Sequence, residues 1–190
     1  MDKVLKNGSM EILIKEHGAE MRKLAKNGVD YLWNADPAFW NRTSAVLFPF
    51  VGAVKDKEYR HGGKTFTIGQ HGFARDKDFE LISETENTVW YGLTEDEASL
   101  AIYPFRFRLE IGYELEESAV KVMWKVKNTD EKTMYFSIGA HPAFFCPVHP
   151  GEKQTDCAFR FYDMQGRAME DFTYTVFGQG GCVSLNTDHK

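Results

Sequence analysis

The sequence predicts an all-β protein built from antiparallel sheets packed on one another, and three observations carry that prediction. Long stretches alternate apolar and polar residues with a period of two, the spacing that puts one face of a strand in the core. Aromatic residues make up 14% of the chain, with 15 Phe against 6 Pro, a bias that suits pleated, half-buried surfaces. Turn-forming pairs such as Asn7-Gly8, Asn27-Gly28 and Gly62-Gly63 punctuate these stretches. The 190 residues read as a single domain over 1–190, long enough to bury a sizeable core.

In chain order, residues 10–14 form a short apolar run closed by His17-Gly18. Residues 20–26 have both helical and strand character, but Asn27-Gly28 and the alternation of residues 29–33 favour a strand pair. Residues 36–42 make an aromatic loop. The run Ala45-Val46-Leu47-Phe48-Pro49-Phe50-Val51-Gly52 follows, and Pro49 argues for an edge, a bulge or an extended loop over a central strand. Gly62-Gly63 turns the chain into a strand over residues 64–68.

From residue 79 onward the alternation is strong. Phe105, Phe107, Leu109, Ile111, Tyr113 and Leu115 share one face, and Val120, Val122, Trp124 and Val126 share another. Both segments are expected to be half-buried strands of one hairpin turned at residues 116–118. Residues 133–141 alternate as well, which places His141 with Ser137 and Gly139, opposite Met134, Phe136 and Ile138. Pro142 restricts His141 to an extended conformation and ends the ladder. Further strands are expected over residues 158–162 and 171–177, with a flexible glycine-rich joint at residues 178–181.

Several function classes have no support. A net charge of −5 gives no electrostatic footprint for nucleic acid or anionic lipid. No apolar run is long enough to span a bilayer, and the first eight residues lack the apolar core of a signal peptide. Cys146, Cys157 and Cys182 form no CxxC pair. The expectation is a cytoplasmic chain without nucleic-acid or membrane partners, its oligomeric state left open. Neither GxGxxG, GxxxxGK[ST] nor GxSxG is present.

The residues with the strongest claim to chemistry are His71, in Gln70-His71-Gly72-Phe73-Ala74-Arg75-Asp76, and His141, in Ile138-Gly139-Ala140-His141-Pro142-Ala143-Phe144. An imidazole titrates near ~6.5, where a general acid or base works best, although a histidine beside glycine or proline can equally cap a turn. Their spacing matches no zinc pattern, so no metal is expected. Arg75 has the planar fork that grips carboxylate, phosphate or sugar hydroxyl, or it pairs with Asp76 or Asp78. Lys57 lies in a charged loop with Lys55, Asp56 and Glu58, an arrangement that also describes a solvated face.

These motifs, together with Tyr31-Leu32-Trp33 and Phe39-Trp40, occur in an order and at separations that resemble the aldose 1-epimerase (galactose mutarotase-like) family, LacX-like subgroup, across roughly residues 10–160. The resemblance implies a large antiparallel β-sandwich (a supersandwich) with a sugar site on a sheet face. It also implies interconversion of the α and β anomers of an aldose or aldose 6-phosphate, with no cofactor and a small-molecule sugar or sugar phosphate as partner. His141 would be the general acid and His71 would hold substrate oxygens. Lys57 matches the approximate position of a sugar-contacting arginine, and Arg75 lies in a motif shared with phosphosugar enzymes. The family's general base is a glutamate in a C-terminal Glu-Pro-Trp-like segment, which these 190 residues do not contain. The sandwich is therefore expected to be incomplete at its C-terminal end, with apolar edges exposed. A non-catalytic carbohydrate-binding protein that keeps the histidine pocket is the alternative.

Overall fold

The alternating segments fold into antiparallel ladders in the computed structural model, which describes residues 1–157, 160–169, 173–178 and 181–186, the last two ranges by their backbone alone. The chain divides into two units, Met1–Val148 and His149–Lys190. In the first, β1 (Lys3–Lys6), β2 (Met10–Ile14), β3 (Met21–Lys26) and β4 (Val29–Asp30) form one sheet in sequential order. The ambiguous segment before Asn27-Gly28 is thus a strand. Both turn residues have positive φ, 52° at Asn27 and 79° at Gly28, as a tight hairpin requires.

The chain then runs through β5 (Ser44–Leu47) and the hairpin of β6 (Glu58–His61) and β7 (Lys64–Thr67). A second four-stranded sheet follows, made of β8 (Glu80–Glu84), β9 (Thr88–Thr94), β10 (Phe107–Leu115) and β11 (Val120–Asn128), in the order β11-β10-β9-β8. Phe107, Leu109, Ile111, Tyr113 and Leu115 are each at most 3% exposed. They pack in one core with Leu5, Ile12, Ile14 and Met21 of the first sheet. Burying five such side chains contributes roughly 10 kcal/mol before chain entropy is counted. Each of the three buried phenols among the described residues finds an acceptor: Tyr113 Oη donates to the Ala19 carbonyl at 2.6 Å, Tyr91 Oη to that of Met1 at 2.8 Å and Tyr103 Oη to that of Tyr135 at 2.8 Å. The all-β sandwich expected from the alternation is the fold observed.

Three details differ from the sequence reading. A six-residue helix, α1 (Glu97–Ile102), interrupts the strands. Asp96 caps it by accepting the Ser99 N–H at 2.7 Å, while Ser99 Oγ accepts the Asp96 N–H at 2.9 Å. The ladder expected over residues 133–141 is limited to β12 (Gly139–Pro142), which pairs with β5. Residues 133–138 run alongside without strand pairing, and Tyr135 and Phe136 are exposed. On β11, the edge strand of its sheet among the described residues, Val122 and Trp124 are 43% and 38% exposed.

The second unit holds a short 3-10 turn (Gln154–Asp156), a bridge between Tyr162 and Ala168, and a hairpin of β13 (Thr173–Gly178) and β14 (Gly181–Asn186). Residues 158–159, 170–172, 179–180 and 187–190 lie outside the described residues, and with them the start of each strand expected at 158–162 and 171–177 and the middle of the joint at 178–181. Among the described residues, no helix is long and apolar enough to cross a membrane.

A buried carboxylate sets the position of β5. Glu20 is 5% exposed, and its Oε1 accepts the N–H groups of Thr43 at 2.7 Å and Ser44 at 2.8 Å. Glu20→Ala leaves both buried amides without an acceptor. The expected cost is about 3 kcal/mol of stability in urea unfolding. A loss below about 0.5 kcal/mol would contradict this anchoring role.

Candidate functional site

The site is assembled where β5 runs out into its proline. Phe48 is fully buried, its ring centroid 5.1 Å from Phe107, 6.1 Å from Tyr103 and 6.3 Å from Phe73. Its carbonyl accepts two N–H groups from the first histidine motif, those of Phe73 at 3.0 Å and Ala74 at 3.1 Å. Gly72 passes so close that a Cβ built on it would lie 2.3 Å from the Phe48 oxygen, and its φ is +70°. No other residue satisfies both conditions.

This close approach aims His71, itself at φ 68°, back at the loop. The His71 N–H donates to the Gly52 carbonyl at 2.8 Å, and the Gly52 N–H donates to His71 Nδ1 at 2.9 Å. An amide N–H can only donate, so Nδ1 carries the lone pair. The ring is therefore the neutral tautomer with its proton on Nε2. Burial holds the imidazole pKa below its ordinary value, and the positive charges of Arg75, His141 and Arg42 act in the same direction.

His141 lies on β12 opposite Ala45 of β5. Its exposed ring packs against Trp40 at 5.1 Å and faces His71 at 6.1 Å between centroids. Seventy residues apart in sequence, the two imidazoles therefore share one patch of surface.

Arg75 stands beside them. Its Nη2 donates to the Gln70 carbonyl at 2.9 Å, and its Nε lies 3.7 Å from Asp76 and is buried without a hydrogen-bond partner among the described residues. Arg42 joins the group, with Nη2 at 2.6 Å from Asp76 Oδ1 and Nη1 donating to the Arg75 carbonyl at 3.4 Å. Burial and the neighbouring Arg42 lower the Arg75 pKa, while Asp76 opposes them. Two guanidinium groups against one carboxylate leave a net positive corner suited to an anionic or oxygen-rich ligand. Asp78, the other partner considered for Arg75, instead meets His17 Nδ1 at 2.7 Å.

Of the residues singled out in the sequence, the structure brings His71, His141 and Arg75 together. Lys57 ends a short 3-10 turn (Lys55–Lys57), is exposed, and is not among the charges that act on His71. Arg42, Trp40 and Gly52 were not identified as site residues by the sequence reading. Trp40 enters the sequence analysis as part of an aromatic loop and of the Phe39-Trp40 motif, without a role at the site, and nothing local marks Arg42. Among the described residues, no group of three or more His, Cys, Asp or Glu side chains is placed to hold a metal ion. Phe50 and Ser137 also line a separate cavity of about 400 Å³ with Tyr59, His61 and Phe105, which neither His71 nor His141 lines.

The profile of the aldose 1-epimerase family matches residues 2–166. The chromosomal protein LacX of Lactococcus lactis subsp. lactis is 34% identical over 168 residues, covering 85% of this chain and 56% of that protein. Among solved structures, a galactose mutarotase related enzyme from Lactobacillus acidophilus superposes with a TM-score of 0.78 at 36% identity, over 80% of this chain and 52% of that one. A galactose mutarotase-like protein from Lactobacillus casei gives a TM-score of 0.74 at 35% identity, over 76% and 50% of the two chains. The chain thus spans about half the length of the relatives it matches.

The bonding of His71 has a measurable consequence. Its imidazole is expected to titrate below ~6.5 by side-chain NMR. The unfolded chain then takes up this proton first as pH falls, so the group's contribution to stability is complete above ~6.5 and is lost on acidification toward the folded-state pKa. A midpoint at or above ~6.5 would contradict the half-buried, amide-bonded ring.

Proposed function

The chain belongs to the aldose 1-epimerase family, and on that premise we propose that its histidine pair binds an aldose or aldose 6-phosphate and interconverts its α and β anomers. The observation that carries this reading is the 6.1 Å approach of His71 and His141, with Nδ1 of His71 already committed to Gly52.

Ring opening needs a proton delivered to the ring oxygen and a proton removed from the C1 hydroxyl. Rotation about the C1–C2 bond and the reverse transfers then close the other anomer. In this reading His141 is the general acid on the ring oxygen. Its exposed ring, held by Trp40, is accessible to a ligand. His71, kept neutral, offers its Nε2–H to a substrate oxygen. Arg75, seconded by Arg42, takes hydroxyl or phosphate oxygens, and Lys57 is a further substrate contact. The acceptor for the C1 proton is a carboxylate in the family. The carboxylate of this cluster, Asp76, is engaged by Arg42 and Arg75. That engagement favours a second reading, a carbohydrate-binding protein that keeps the histidine pocket without turnover.

Polarimetry or NMR on freshly dissolved sugars separates the two. The mutarotase reading expects accelerated anomer equilibration, with His141→Ala reducing the enzymatic rate by about 10²–10⁴-fold. Arg75→Ala is expected to weaken an aldose 6-phosphate about tenfold more than the free aldose. Saturable binding with no acceleration across aldoses and their 6-phosphates would replace the enzyme reading by the binding one. Absence of both would sink the two together.

A further inference from the structure

The two histidine segments meet through a hydrogen-bonded relay that neither motif contains by itself. Ser137 lies four residues before His141, on the segment leading into β12. Its backbone N–H donates to the Pro49 carbonyl at 2.9 Å, and its Oγ accepts the Val51 N–H at 2.9 Å. The next residue of that loop, Gly52, gives its N–H to His71 Nδ1 and takes the His71 N–H on its carbonyl. The two segments also touch between these bonds. A Cβ built on Gly139 would sit 3.1 Å from Val51 Cγ2, so Val51 packs directly over the position two residues before His141.

The loop is therefore oriented on one side by the segment carrying His141 and grips His71 on the other. Val51 is half exposed, so its amide has water as the alternative acceptor. That N–H belongs to the Phe50–Val51 peptide, which adjoins the Val51–Gly52 peptide across Val51 Cα; without the hydroxyl this neighbour loses its anchor, and with it one support for the orientation of the Gly52 N–H. The tautomer of His71 depends on that N–H staying in place.

We infer that Ser137 is a positioning residue for His71: its hydroxyl holds the Phe50–Val51 peptide, the neighbour of the Val51–Gly52 peptide whose N–H meets Nδ1, and thereby helps keep the His71 proton on Nε2. Ser137 acts through the loop and touches no reacting atom in this role. The inference gives the proposed sugar site its coupling between acid and substrate-holding arm, and it rests on that reading only for its functional meaning.

The test is made on the whole chain without sugar, so that it stands apart from any assay of turnover. In the wild-type protein, ¹⁵N correlation spectra of the histidine side chains are expected to show His71 as the single Nε2–H tautomer, and the Val51 amide to exchange slowly with solvent. Ser137→Ala is expected to speed Val51 exchange about tenfold, the equivalent of one hydrogen bond. It also moves the His71 nitrogens toward the tautomer-averaged positions and the His71 midpoint toward ~6.5. Ser137→Thr keeps a hydroxyl and is expected to keep the wild-type signature. A folded Ser137→Ala protein whose His71 nitrogens and Val51 exchange match wild type would overturn the inference. So would a wild-type Val51 amide that exchanges at the rate of an unprotected one, a result that needs no variant to fold. Accelerated mutarotation together with either outcome would leave the functional reading standing and remove the positioning role alone.

Discussion

The site depends on the reciprocal pair of bonds between Gly52 and His71. One residue supplies both the carbonyl that accepts the His71 N–H and the N–H that occupies Nδ1. Two bonds to one residue, one from the His71 backbone and one to its ring, fix the ring's position and its tautomer together, which a single contact cannot do. The arrangement also removes Nδ1 from competition for solvent or ligand. What remains is a neutral imidazole with one donor to offer.

Such a pair persists only if both partners are held from behind. Behind His71, the Phe48 carbonyl binds the amides of Phe73 and Ala74, and the missing Cβ of Gly72 lets the backbones close up. Behind Gly52, residues 49–51 are tied to Ser137, while β5 is buried at all four of its residues and anchored at its start by Glu20. The Phe48 ring links this backbone to the aromatic core around Tyr103 and Phe107. Rigid support of this kind is what a site needs when it works through angstrom-scale placement of donors.

The fold was readable in the sequence wherever one face of a strand is buried along its length, as in β2 and β10, because period-two alternation reports that burial directly. It was misleading at residues 133–138, where alternation continues but the backbone has no ladder partner before Gly139. The helix at Glu97–Ile102 is too short for a helical period to register; its signal was the local Asp96 and Ser99 cap. The two histidines and Arg75 stood out through their motifs. Arg42, Glu20 and Ser137 did not, because each acts across a long stretch of chain: 34 residues to Asp76, 23 to Thr43 and 86 to Val51. Contacts at that range are created by packing, and a local pattern carries no trace of them.

The electrostatics of the corner follow from the same packing. Burial lowers the His71 pKa, and the charges of Arg75, His141 and Arg42 act in the same direction; with Arg42 and Arg75 sharing the Asp76 carboxylate, the group offers mainly donors to an incoming molecule. His71 and His141 are proposed to form one ligand site. The most direct measurement is a titration of the labelled protein with an aldose and with its 6-phosphate, following the side-chain nitrogens of both histidines. Both sets of resonances are expected to move together and saturate with one dissociation constant. Movement of one histidine alone, or of neither, for every sugar tried would contradict a shared site.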